Sequence, residues 1–254
     1  MGKIRLSGTV EFDQVSVRRI TSYPIPTPPT PNVEICIDNS SLDLVKTTKF
    51  LGILIDDDFS WKSHTCHVSK IVSKYNGIFR KVRPFLPLDA LHTLYNTLVY
   101  PYFNYCAMIW ADKNNSHLHS LFLMQKRIIR TCTNSIWLAH TDPLFQSLKT
   151  LKIHDLYVLQ TAEFMYKYLH DLLPHDLFDD HYFVTRQDIH PYDTRTSQDL
   201  HIRHTNTKLA ENTIKTQAAL VWNSLSDPLK HSPSLAIFKA TLKKQLIDTY
   251  SSSD

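Results

Sequence analysis

Lys49-Phe50-Leu51-Gly52-Ile53-Leu54-Ile55-Asp56-Asp57-Asp58-Phe59-Ser60-Trp61 is the stretch on which the reading of this chain turns. An apolar run of β-forming residues stops abruptly at three consecutive carboxylates. Beyond Trp61 the spacing of apolar residues changes from strand-like to helical. The stretch therefore divides a small sheet from a helical body. The three aspartates raise a second question. Clustered carboxylates can hold divalent ions, but they also suit an acidic turn leading into a helix N-terminus.

Upstream, Val33, Ile35 and Ile37 alternate with polar or small residues, and Asn39-Ser40-Ser41 reads as a turn. Leu42, Leu44, Val45 and residues 50–55 would complete a small antiparallel sheet. Two or three strands are marginal alone, so other elements must cover them. Residues 1–32 differ in kind. They end in Tyr23-Pro24-Ile25-Pro26-Thr27-Pro28-Pro29-Thr30-Pro31, an extended proline-rich run read as a poorly ordered tail or linker.

Downstream, residues 62–82 form a helix. At about 100° per residue, Val68, Ile71, Val72, Tyr75, Ile78, Phe79 and Val82 share one arc. His67, Lys70, Lys74 and Lys81 fall on a narrow neighbouring arc, a basic stripe. A second helix is expected over 88–102, with Pro101 ending or kinking it. A third spans 118–132, with Leu118, Leu121, Phe122, Ile128, Ile129 and Cys132 inward and Lys126, Arg127 and Arg130 away from that face. Asp142-Pro143 reads as a cap followed by proline at the first helical position. A broadly apolar, central helix runs over 154–172 and is stopped by Pro174. Tyr182-Phe183-Val184 has the composition of a short strand, and the segment around His190–Arg195 reads as loop. Helices return at 214–225 and 234–250, the last with Ser232 as cap and Pro233 following.

Composition narrows the function. With 254 residues, 43% hydrophobic and 20% charged, the chain is long enough and apolar enough for a real core. Its four glycines (Gly2, Gly8, Gly52 and Gly77) rule out glycine-rich phosphate loops. A net charge of +4 with fourteen neutral histidines is only mildly basic. The four cysteines are widely spaced without a Cys-x-x-Cys, no leader is evident, and no apolar run nears the ~20 residues of a membrane span. The expectation is a reducing intracellular compartment, cytoplasm or nucleus, with no membrane partner.

No constellation of reactive side chains is convincing. His64-Thr65-Cys66-His67 lacks a second ligand pair at zinc spacing, as do His117/His119 and His201/His204. Arg203 with His201 and His204 could touch phosphate. There is no Gly-x-Ser-x-Gly. Tyr100, Tyr102, Phe103, Tyr105 and Trp110 read chiefly as core at a helix corner.

The order of short motifs is more telling. Phe50-Leu51-Gly52-Ile53, Asp56, Trp61 and His64 are followed by Leu86-Pro87, Leu94-Tyr95, Tyr100-Pro101, Tyr105 and Trp110. Then come Leu118, Leu121, Gln125-Lys126, Ile129-Arg130, His140-Thr141-Asp142-Pro143-Leu144-Phe145, Phe164-Met165-Tyr166-Lys167, Leu173-Pro174, Thr194-Arg195, Trp222-Asn223-Ser224-Leu225 and Phe238-Lys239. Over roughly residues 33–248 this series resembles the region after the catalytic palm in reverse transcriptases of non-LTR (LINE-type) retrotransposons.

The resemblance implies that Phe50, Leu51, Gly52 and Ile53 form a primer-grip-like strand, within a β-hairpin remnant of the palm over 33–60. It implies a helical, thumb-like region over 61–139 that holds a template–primer duplex, and a helical C-terminal region over 140–254. The fold expected is α+β, mostly α. His67, Lys70, Lys74, Lys81, Lys126, Arg127 and Arg130 become candidate contacts to a nucleic-acid backbone, because duplex phosphates attract lysine and arginine without sequence reading. The partner implied is RNA or an RNA–DNA duplex, bound weakly and with salt sensitivity.

The family's paired catalytic aspartates, which hold two metal ions, have no counterpart; the nearest match, Phe178-Asp179-Asp180, has the wrong spacing. The expectation is a truncated, non-catalytic chain with no catalytic residues, no metal site and no cofactor, since Mg²⁺ would belong to the missing palm. An exposed palm-facing surface would favour self-association. The rival reading is a helical protein-interaction module, or a transposon relic with no nucleic-acid role.

Overall fold

The computed structural model describes residues 16–19, 33–37, 40–41, 43–112, 116–174, 182–189 and 197–252. It is mostly helical with small antiparallel sheets, the α+β class expected. The chain divides into two compact units between Thr48 and Lys49.

In the first unit, β1 (Ser16–Arg19), β2 (Val33–Ile37) and β3 (Ser40–Ser41) form a sheet in the order β1-β2-β3. β1 runs antiparallel to β2, pairing Val17 with Ile35 and Arg19 with Val33. β1 thus lies inside residues 1–32, the segment read as a tail. Four residues carry too little alternation to announce a strand, and pairing with β2 supplies what local sequence does not. The proline-rich run itself lies outside the described residues.

The boundary falls within the first strand of a hairpin, β4 (Thr47–Phe50) and β5 (Ile53–Asp56). Leu51 and Gly52 join them with left-handed backbone, φ 45° and 86°. Positive φ at both central residues marks the two-residue turn that matches strand twist. Phe50–Ile53 is therefore a turn between strands and not the continuous strand expected. The Tyr105 hydroxyl donates to the Leu51 carbonyl at 2.6 Å and fixes the turn.

α1 (Lys62–Val82) follows, and the three aspartates divide there. Asp56 is buried; its Oδ2 accepts from the Ser63 backbone N–H at 3.0 Å and the Ser60 hydroxyl at 3.3 Å. It satisfies a free amide at the start of α1, which the left-handed Trp61 does not cap. Asp58 accepts from the Ser60 N–H at 2.9 Å, and Asp57 is exposed. The helix-start reading of the trio fits this geometry.

A 3-10 turn, Arg83–Phe85, leads to α2 (Leu88–Leu98), α3 (Tyr100–Asn104) and α4 (Ala107–Trp110). The single helix expected over 88–102 breaks at Val99, with Pro101 in the first turn of α3, where a missing amide costs little. α5 (Leu118–Cys132) matches its expected span. α6 (Asp142–Ser147) is preceded by Thr141, so Asp142 is its first residue and not its cap. α7 (Ile153–Leu169) ends well before Pro174, with Asp171 left-handed just beyond it.

Tyr182–Val184 form no strand; a lone bridge joins Thr185 to Leu200. The short helices α8 (Arg186–Ile189) and α9 (Lys208–Glu211), then α10 (Ile214–Asn223), α11 (Asp227–Lys230) and α12 (Leu235–Asp248) follow, and a 3-10 turn, Thr249–Ser252, ends the described chain. Ser234, and not Ser232, caps α12, its hydroxyl accepting from the Ile237 N–H. Ser232 is buried, and its carbonyl accepts from Tyr166 at 2.8 Å.

One core runs through positions on both sides of residue 140. α1 packs along α5, and α7 packs against α4, α10 and α12 as the central helix. Gln125 on α5 ties these layers together. Its amide nitrogen donates to the Tyr95 hydroxyl and the Leu151 carbonyl, each at 2.9 Å. Its oxygen accepts the Ile153 N–H at 3.0 Å, at the start of α7. A buried amide with every partner met fixes helix positions tightly.

Candidate nucleic-acid interface

α1 buries His64, Thr65, Val68, Val72 and Phe79 and leaves the opposite side to solvent. His67, Lys70, Lys74 and Lys81 all lie exposed, as the helical spacing predicts. Lys70 and Lys81 stand about 16 Å apart along the axis at 1.5 Å per residue. Gly77 falls on the same arc, between Lys74 and Lys81. A Cβ added there would meet nothing within 4 Å, so packing does not require this glycine.

The second expected patch does not hold together. Arg127 and Arg130 join Arg80 and Arg83, which follow the stripe at the end of α1, around a cavity of about 310 Å³. Thr131, Ser135 and Trp137 complete its lining. Arg130 Nε donates to the Ala139 carbonyl at 3.0 Å, and the Ser135 N–H donates to the Arg130 carbonyl at 3.0 Å, so the loop after α5 is pinned to that helix. The Arg127 guanidinium lies 5.5 Å from the Trp137 ring centroid.

Lys126 instead lies 4.4 Å from the Phe122 ring centroid, and burial pushes its ammonium pKa down. It takes no part in the arginine pocket.

Among the described residues no carboxylate pairs with His67, Lys70, Lys74, Arg80, Lys81, Arg83, Arg127 or Arg130; the ion pairs present involve Lys152, Lys167, Lys230 and Lys239. Arg80, Arg83 and Trp137 escaped the reading by motif and stripe. A signal for them was available: residues 59–88 and 113–141 contain no aspartate or glutamate at all. Two acid-free helical runs that pack together offer their cations no carboxylate from either run.

The hairpin turn is brought to the other end of the stripe. Gly52, His64 and His67 line a cavity of about 290 Å³ with Val68, Pro101, Tyr102 and Tyr105. His64 Nδ1 faces the Leu54 N–H at 3.5 Å, and its ring meets Trp110 edge-on at 5.0 Å. Burial, reinforced by His67, brings its pKa down to about 4, so the imidazole is neutral and able to accept at neutral pH. Of the turn residues Ile53 is buried, while Phe50 and Leu51 are exposed.

His117 and His119 sit at the start of α5, and His201 and His204 on an exposed stretch; no group of three or more metal-capable side chains converges among the described residues. Phe103 and Trp110 are core, as read, whereas Tyr105 is half exposed and holds the hairpin. Phe178, Asp179, Asp180, Thr194 and Arg195 lie outside the described residues. No helix among those residues is long and apolar enough to cross a membrane.

Over 112 residues the chain is 23% identical to a probable RNA-directed DNA polymerase from transposon X-element of Drosophila melanogaster. The match takes in 42% of this chain and 12% of that protein, so the chain spans only a small part of its relative's length. No family model and no solved structure matches the chain. The likeness indicates a distant relationship to transposon reverse transcriptases.

Proposed function

We propose that this chain is a reverse-transcriptase-related transposon polypeptide that holds the backbone of an RNA or RNA–DNA duplex in the manner of a thumb. The observation that carries this reading is the cationic surface of α1 and α5, without ion-pair partners among the described residues, from His67 to the pocket of Arg80, Arg83, Arg127 and Arg130. Cations kept free of internal carboxylates suit a polyanion, whose condensed counterions are released on binding. The chain acts as a binder without polymerising. Its acidic cluster is committed to the start of α1 through Asp56, and template-dependent extension of a primer with Mg²⁺ or Mn²⁺ would overturn this part of the reading.

Binding is tested by titrating a labelled RNA–DNA duplex at increasing salt. Affinity is expected to fall steeply. The triple charge reversal of Lys70, Lys74 and Lys81 should weaken it at low salt and flatten the salt slope by about 3 units, close to one for each phosphate left without its lysine. Equal affinity of the triple variant and its parent would reduce the stripe to a solvated face. Exposed Phe50 and Leu51 at the hairpin tip favour a second role, self-association or a protein partner there. That role would show as concentration-dependent mass in sedimentation, insensitive to salt.

A further inference from the structure

The loop after α5 puts three large apolar side chains in sequence into solvent. Ile136, Trp137 and Leu138 are 76%, 61% and 85% exposed. The loop is not loose. Asn134 takes a left-handed turn, the Thr133 and Ser135 hydroxyls bond each other at 2.8 Å, and the Ala139 N–H donates to the Ile136 carbonyl at 3.0 Å. The chain therefore holds an apolar tip in one shape beside four arginines that meet no carboxylate among the described residues.

Gripping a duplex backbone does not require this arrangement. Paired bases stack on one another and offer an aromatic side chain no free face. An unpaired nucleotide offers both halves of a match, a phosphate for the guanidinium groups and a base face for the indole. Arginine forks suit phosphate oxygens, each guanidinium carrying five donors. Arg127 spans both parts, lining the cavity while lying over the Trp137 ring.

We propose that the Arg80/Arg83/Arg127/Arg130 pocket takes a phosphate of an unpaired RNA or DNA strand while Trp137 stacks the adjacent base. The pocket opens at the end of α1, about a quarter turn from the lysine stripe at 100° per residue. A strand leaving a duplex held on the stripe would pass into it. The preferred ligand is then a duplex with a single-stranded overhang. This inference rests on the duplex-binding reading and adds to it the unpaired segment and the residue that senses it.

The test uses the full chain and its intrinsic fluorescence. Trp110 and Trp222 are buried and Trp61 half-buried, so quenching by ligand reports chiefly on Trp137. Three labelled nucleic acids (a blunt RNA–DNA duplex, the same duplex with an overhang, and the single strand) are compared with mixed phosphatidylcholine–phosphatidylserine vesicles. The overhang duplex should bind roughly 5- to 150-fold more tightly than the blunt one, the range expected for one stacked base. It should quench the fluorescence where the blunt duplex does not.

Trp137→Ala should abolish both the preference and the quenching, and Trp137→Phe should keep most of the preference and lose the quenching. Since Trp137 is exposed, both variants should melt like the parent, and circular dichroism checks this. If blunt duplex binds with a salt slope but Trp137→Ala leaves the overhang affinity unchanged, this inference fails and the duplex reading stands. If no nucleic acid binds, both fail. Quenching by the anionic vesicles in place of nucleic acid would reassign the tip to a lipid surface and overturn the proposal.

Discussion

Cations are used differently on the two sides of this helical body. Around α7 and α12 several of them are spent internally, although Lys243 and Lys244 of α12 stay exposed. Lys167 and Lys239 both hold Glu163 at 2.9 Å, tying those helices together. Lys152 holds Asp142 at 2.9 Å, and Lys230 lies 3.6 Å from Asp227. Burial pushes the Glu163 carboxyl up, but its two lysines outweigh this and hold it below the usual carboxylate range. Along α1 and α5 the cations form no such ion pairs among the described residues. The cause is local sequence, since both helices lie within runs that contain no acid. Such a surface gains no ion-pair energy from within the described residues, which leaves its charge available to the binding role proposed above.

That contrast requires α5 to be rigid, presenting Arg127 and Arg130 outward because Gln125 is locked inward. Gln125→Leu offers the largest way to break it. The leucine would strand the Tyr95 hydroxyl, the Leu151 carbonyl and the Ile153 N–H inside the core. At about 1–3 kcal/mol for each unsatisfied buried group, a loss of roughly 4 kcal/mol in unfolding free energy is expected. Urea unfolding checks this. A loss below about 1 kcal/mol would show that α5 is positioned by apolar packing alone and that its outer face is free to rotate.

Acid should separate the regions as well. His64 is neutral in the folded protein, with a pKa brought down to about 4, against about 6.5 when unfolded. Between those values the unfolded chain takes up a proton that the folded chain refuses, so stability is full above pH 6.5 and is lost as pH falls towards 4. The Glu163 contribution has its window lower. A carboxyl held down by lysines gives stability present above its unfolded pKa, near 4.5, and lost only as pH falls further. Urea midpoints are therefore expected to fall between pH 6.5 and 4 in the parent, with part of that slope missing in His64→Gln. Removing Glu163 with Glu163→Gln should leave this upper window intact. If His64→Gln keeps the full slope, His92 and His154, whose pKa values burial also lowers, account for it instead.

Legibility from sequence followed the same divide. The helical body and its inner faces could be read because long helices repeat their apolar spacing many times, as in α1 and α5. The ends could not. Val99 breaks a helix that periodicity runs straight through, and Ser234 displaces Ser232 as a cap because Ser232 is drawn into the core by Tyr166. The turn at Leu51-Gly52 was missed because an apolar residue in left-handed backbone reads as strand, and a bond from a distant tyrosine is what secures it. At the candidate interface the lysine stripe was visible because it repeats within one helix. The arginine pocket was not, because it joins residues some fifty positions apart that only the packing of α5 on α1 brings together.

Gly77 gives the smallest and sharpest test, because stability and binding should move in opposite directions. Glycine inside a helix is less favourable than alanine by roughly 0.5–1 kcal/mol, through the backbone entropy it gives up. Nothing near Gly77 would obstruct a methyl group. On folding grounds alone, Gly77→Ala should raise the unfolding free energy by that amount. The glycine also lies on the cationic arc between Lys74 and Lys81, where it leaves bare backbone. A ligand resting on this arc can approach closer there than over any side chain. Gly77→Ala is therefore expected to be more stable and yet to bind duplex more weakly, by about 3-fold, a loss of about 0.6 kcal/mol. Unchanged affinity together with the gain in stability would mean that the ligand is held at the tips of the lysines without touching the helix. A loss of stability would remove the premise that this glycine is free of packing demands.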